Sequence, residues 1–163
     1  MNKSEIYHFL KAKNIWHDIT EHEAVFRMDQ LSEIALPFPE SDAKNLFVHD
    51  DKKCNYYLLT VKGNKRVNLK KFRQEHGTRP LSFASEQELM EQLGLVSGAV
   101  TPLGILNNEQ RNVQCFLDEA FLDAPCLTGV HPNDNTATVY LKTEDLITII
   151  KEHGNPVHIV SFA

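Results

Sequence analysis

Three stretches of the chain carry groups suited to chemistry. SDAKNLFVHD (41–50) sets Lys44, an ammonium with three donors, between a polar turn and a short apolar run. GAVTPLG (98–104) and GVHPNDNTAT (129–138) gather glycine, proline and small polar residues, a composition that lets backbone N–H groups approach a ligand closely. Each has a plain structural reading beside the functional one. A lysine at a strand mouth is usually a solvated charge, and Gly–Pro stretches are usually turns. No GxSxG elbow, Walker phosphate loop, HExxH pair or CxxC pair occurs. The eight histidines are scattered, and Cys126 with His131 is the nearest approach to a ligand pair. Zinc needs three or four converging ligands, so neither a metal nor a cofactor is expected.

The elements that must position these groups follow from periodicity and punctuation. Ile6, Phe9 and Leu10 predict a helix over 4–13, followed by a strand at Ile15–Thr20 and a second helix at Met28–Leu36 that LPFPES ends. NLFVHD and CNYYLLTV form a hairpin across DDKK. Asn68 caps a basic helix ending near Gly77, LSF is a strand, and Ser85 with Glu88 makes a capping box for a helix closed by Gly94. The AVTPLGIL region, NVQCFL, PCLTGV and TATVYL read as strands. Thr143 starts a last helix through Leu146, Ile149 and Ile150 to Gly154, and PVHIVSF is a final strand. Strands interspersed irregularly with helices predict an α+β fold with a mixed, mostly antiparallel sheet or open barrel flanked by helices, not a doubly wound parallel one.

At 163 residues, without repeats or a Gly/Ser linker, a single domain over 1–163 is expected. No apolar run reaches the roughly 20 residues of a membrane span, and the N-terminal MNKSEIYHFLKAKN is amphipathic. Three cysteines without paired spacing suit reduced thiols and a cytoplasmic location. The net charge of -5 argues against a generally basic nucleic-acid binder, yet seven of the seventeen basic residues crowd into 62–79: Lys62, Lys65, Arg66, Lys70, Lys71, Arg73 and Arg79, against Glu75 alone. Such a face can steer a polyanion, although a solvated helix face is the blander account.

In order along the chain, EHEAVFRMDQL, AKNLFV, RVNLKKF, LSFASEQELMEQLG, the GxxxP loop Gly98–Pro102 and HPNDNTAT give a pattern. That series resembles the YbaK/prolyl-tRNA synthetase editing-domain superfamily nearly end to end, and within it the stand-alone PrdX or ProXp-ala type of aminoacyl-tRNA deacylase. Two departures stand near the expected pocket mouth: Glu23 in place of a usual proline, and Phe38-Pro-Glu-Ser-Asp in place of a more Gly/His-containing loop.

The resemblance implies an enzyme that hydrolyses the ester of mischarged tRNA(Pro), foremost Ala-tRNA(Pro), with a YbaK-like Cys-tRNA(Pro) deacylase or a non-catalytic binding module as alternatives. It makes Lys44 the principal functional residue, holding a phosphate or the carbonyl side of the ester. N–H groups around Gly98, Thr101, Pro102 and Gly104 would cradle the oxyanion, His131 would position water or the amino group, and the ribose hydroxyl would help activate water. Val25, Phe26, Leu36, Asn45, Leu46, Leu103 and Asn135 are candidates for the amino-acid pocket, sized to admit alanine and refuse proline. The seven basic residues would track the acceptor stem, with prolyl-tRNA synthetase a further partner and a monomer the expected state.

Overall fold

Residues 1–24 and 36–162 are described by the computed structural model of the chain. Helix α1 (Lys3–Ala12) is fixed at its start by reciprocal bonds between Asn2 and Glu5, and it buries Ile6 and Leu10. After it come β1 (His17–Glu21), β2 (Ala43–Asp50) and β3 (Tyr56–Lys62). Helix α2 (Leu69–His76) is capped by Asn68, whose side chain accepts from Lys71 N–H, and it ends at Gly77 with φ 65°. β4 (Leu81–Phe83) precedes α3 (Glu86–Leu93), where the Ser85–Glu88 capping box forms as expected. β5 (Val113–Asp118), β6 (Leu127–Val130), β7 (Ala137–Lys142), α4 (Thr143–His153) and β8 (Val157–Val160) complete the order.

Two sheets result, of order β1-β7-β6 and β4-β2-β3-β5-β8. Four ladders are antiparallel, whereas β3–β5 and β5–β8 run parallel. The α+β expectation therefore holds, as two sheets rather than a barrel. Alternation along β2 divides the core: Phe47 joins the large cluster with Leu10, Leu58, Val139, Leu141 and Ile150, between the sheets. Val48 joins the smaller one with Tyr57, Leu59, Phe72 and Phe116, beneath α2.

One expected strand is corrected. Within AVTPLGIL the chain forms a 3-10 helix at Pro102–Asn107, because Pro102 offers no N–H to a ladder and Thr101 Oγ1 accepts from Leu103 N–H. The expected helix over Met28–Leu36 falls outside the described residues except for Leu36. Among the described residues no helix is long and apolar enough to cross a membrane.

The sheets meet where Asp42 and Gly129 form a parallel bridge. A Cβ on Gly129 would stand 2.5 Å from Tyr140 Cε1, inside a ring that is fully buried. Gly129→Ala is therefore expected to cost ~1–3 kcal/mol of stability by overpacking, read as a lowered urea midpoint.

Candidate active site at the seam of the two sheets

Asp42, one residue before β2, is only 6% exposed. The Tyr140 hydroxyl donates to its Oδ1 at 2.6 Å, and Phe38 stands edge-on to the Tyr140 ring at 5.2 Å. Burial pushes the Asp42 carboxyl up to about 6; the Tyr140 bond opposes that rise, Glu40 adds to it and His22 opposes it weakly. Burial and the Asp42 bond push the Tyr140 hydroxyl far above its ordinary value, so it stays a donor.

Two histidines lie beside this pair, their ring centroids 6.2 Å apart and edge to face. His22 follows β1, and its N–H is tied to Thr136 O at 2.9 Å. Its Nδ1 meets Glu23 O at 2.8 Å and its Nε2 meets Thr138 Oγ1 at 2.9 Å. His131 follows β6, with Nδ1 at 2.9 Å from Ala137 O. A carbonyl oxygen only accepts, so both Nδ1 atoms carry protons. In the neutral ring His131 Nε2 is then a bare acceptor, and it has no partner among the described residues. Burial lowers the His131 pKa, and His22 lowers it further against the Ala137 bond.

The sign of this linkage is definite. His131 is harder to protonate folded than unfolded, so its contribution to stability is complete above the unfolded value near 6.5 and is lost as pH falls through the folded one. His131→Asn, whose amide can still donate to Ala137 O, is expected to flatten the loss of melting temperature between pH 7.5 and 5. An unchanged slope would place that pH dependence elsewhere.

Lys44 lies two residues beyond Asp42, about 7 Å along the strand. Its Nζ donates to Lys65 O at 3.3 Å, which leaves two ammonium donors for another acceptor. Alternation puts Lys44 on the face of Leu46 and Val48. Asn45 faces the other way, where Val100 and Leu103 of the 98–104 loop enter the large core. Asn45 Oδ1 accepts from Thr60 Oγ1 at 2.7 Å. Among the described residues no hydrogen bond joins Lys44 to that loop or to His131.

The loop itself is tightly committed. Thr101, Pro102, Leu103 and Gly104 are buried, and N–H groups of Ala99, Leu103 and Gly104 already donate to Val96 O, Thr101 Oγ1 and Thr101 O. Those of Gly98, Val100 and Thr101 have no partner among the described residues. Gly98 takes φ 89°, which favours glycine. Leu36 and Leu46 are half-buried, as is Asn135, which is engaged in an interaction of its own. Val25 and Phe26 fall outside the described residues.

The basic stretch divides. Lys65 is paired at 2.7 Å with Asp118, which is 1% exposed. Lys62 Nζ donates to Ala120 O at 3.2 Å, and Arg79 forks onto Asp51 at 2.6 and 3.0 Å. Lys71 approaches Glu75 at 3.7 Å. Arg66, Lys70 and Arg73 are exposed, with no ion-pair partner among the described residues. Among those residues no three His, Cys, Asp or Glu side chains converge to hold a metal, and the three cysteines are free thiols.

Sequence reasoning passed over His22, Asp42, Thr138 and Tyr140. Each lies inside or beside a stretch singled out for other reasons, yet no spacing links them. A pairing across 98 positions, such as Tyr140 with Asp42, exists only once β6 and β7 meet the start of β2.

Comparison with known proteins bears on what such a seam does. Residues 22–149 match the aminoacyl-tRNA editing domain family. The chain is 37% identical over 146 residues to the prolyl-tRNA editing protein ProX of Acetoanaerobium sticklandii, covering 90% of this chain and 88% of that one. It is 31% identical over 163 residues to prolyl-tRNA synthetase associated domain-containing protein 1 of Mus musculus, covering 98% and 96%. Its fold superimposes on the crystal structure of a candidate trans-editing enzyme for prolyl tRNA synthetase with a TM-score of 0.71 at 20% identity, over 100% of this chain and 99% of the other.

Proposed function

The chain belongs to the aminoacyl-tRNA editing domain family, and from that premise we propose that it is a trans-editing deacylase releasing alanine from mischarged tRNA(Pro). Water adds to the ester carbonyl, the bond to the ribose oxygen breaks, and that oxygen leaves with a proton, giving free alanine and free tRNA. Lys44 anchors the substrate through the two donors that Lys65 O does not occupy. The bare Nε2 of His131 orients water or the amino group, and the neighbouring ribose hydroxyl assists the attack. N–H groups of Gly98, Val100 and Thr101 complete the cradle for the oxyanion.

The observation that carries this reading is the locked tautomer of His131 at the seam where β2, and so Lys44, begins. An acceptor nitrogen near the seam and, two residues beyond Asp42, a cation with two spare donors are the groups this reading employs. The test is hydrolysis of alanyl-, cysteinyl-, seryl- and prolyl-tRNA(Pro) by the parent protein. Alanyl-tRNA is expected to be cleaved fastest and prolyl-tRNA least, since a pocket can exclude the larger ring sterically. Preference for the cysteinyl ester would reassign the substrate, and inertness toward all four would reject a deacylase. Partners follow the same reading: the acceptor stem of tRNA(Pro), prolyl-tRNA synthetase as the source of the error, and a single copy of this chain acting alone.

A further inference from the structure

We propose that Asp42 is the counter-ion of the substrate's α-ammonium group, so that the seam selects esters of free, charged amino acids. This rests on the deacylase reading above. Tyr140 occupies only Oδ1 of Asp42, and Oδ2 has no partner among the described residues. No lysine or arginine among those residues lies within ion-pair distance of it, Lys44 being turned to Lys65 O. Next to it, Ser41 is buried at 1% exposure and its Oγ has no hydrogen-bond partner among the described residues. The two imidazoles direct their N–H groups away, to Glu23 O and Ala137 O. What remains unpartnered is a carboxylate oxygen and the His131 Nε2, both acceptors, and the Ser41 hydroxyl, which can donate or accept. A carboxylate oxygen and an imidazole nitrogen, both without a donor, suit a ligand with several N–H groups and a positive charge, which is what an aminoacyl ester carries at its α-carbon.

The pH dependence follows with its sign. Among the described residues, the titratable groups that act on Asp42 are Glu40, before β2, and His22, after β1; Tyr140 of β7 donates to it, and His131 stands beyond His22. The pair needs an ionised carboxylate and a protonated amine. kcat/KM is therefore expected to rise with pH through about 6 as Asp42 ionises. It falls again near the α-amino value of ~7.7–8.0.

The experiment compares alanyl-tRNA(Pro) with lactyl-tRNA(Pro), in which a hydroxyl replaces the ammonium at nearly the same size. The parent is expected to favour the alanyl ester roughly 10- to 100-fold in kcat/KM, the range of a charge-assisted bond. Asp42→Asn, which can still accept from Tyr140, loses that factor on the alanyl ester alone, so the ratio falls toward one and the lower pH limb disappears. Tyr140→Phe keeps the carboxylate and the preference. A parent that cleaves both esters equally well overturns the proposal without any variant, as does a folded Asp42→Asn that keeps the parental ratio. A parent inert on every ester would instead sink the deacylase reading itself.

Discussion

Replacing Lys44 with alanine is expected to slow deacylation of alanyl-tRNA(Pro) by about two orders of magnitude or more while leaving the fold intact. One preorganised donor at a developing oxyanion is worth ~2.7–4 kcal/mol, because the charge it meets forms in a water-poor site. The stability side of the prediction rests on how little Lys44 contributes to packing. It is half-buried, and the one side-chain hydrogen bond it makes among the described residues is a long contact with Lys65 O. Its loss should cost no more than ~1 kcal/mol. Lys44→Arg is not expected to restore the rate, since a planar fork cannot reproduce a compact ammonium at the same spot. Single-turnover hydrolysis beside a thermal melt separates the two effects. A folded alanine variant that works at the parental rate removes Lys44 from the chemistry.

Reversing Arg66, Lys70 and Arg73 together to glutamate is expected to raise KM steeply and leave single-turnover kcat nearly unaltered. Each phosphate neutralised by a protein cation contributes ~0.7–0.9 to the log–log salt slope, so the parental slope should flatten by ~2–3. These three differ from their neighbours in being exposed without an ion-pair partner among the described residues. Arg79 is clamped by Asp51, and Lys65 answers a nearly inaccessible carboxylate. Arg79→Glu should accordingly change KM less than the triple reversal. Equal binding of a mini-helix substrate by parent and reversed variant would show that the patch serves solubility rather than RNA.

Local chemistry was legible in the sequence. Ser85 with Glu88, the Asn68 cap and the glycines at 77, 94 and 154 mark helix ends because caps are decided within a few residues. The β2–β3 hairpin and the α+β class follow from alternation and spacing in the same way. The Gly98–Gly104 region misled because its apolar residues imitate a strand, whereas Pro102 and the Thr101 hydroxyl turn it into a 3-10 helix. Family resemblance rather than spacing is what singles out Lys44 and His131 as candidates. Asp42, His22 and Tyr140 carry no such signal, since their grouping arises from contacts between the small sheet and the mouth of β2. The basic stretch shows the same limit: its charge could be counted, but which cations are already neutralised depends on Asp51 and Asp118, distant in the chain.

Asp118 has one more consequence. Its Oδ2 receives both the Lys65 ammonium and the Lys62 backbone N–H, while Oδ1 holds Ala120 N–H. The carbonyl that steadies Lys44 belongs to that same Lys65. The position of the Lys44 ammonium is thus tied, through Lys65, to the end of β5, two strands away in the sheet. Under the proposed reading, a lesion at position 118 is expected to register in a hydrolysis assay as a fault at position 44 does.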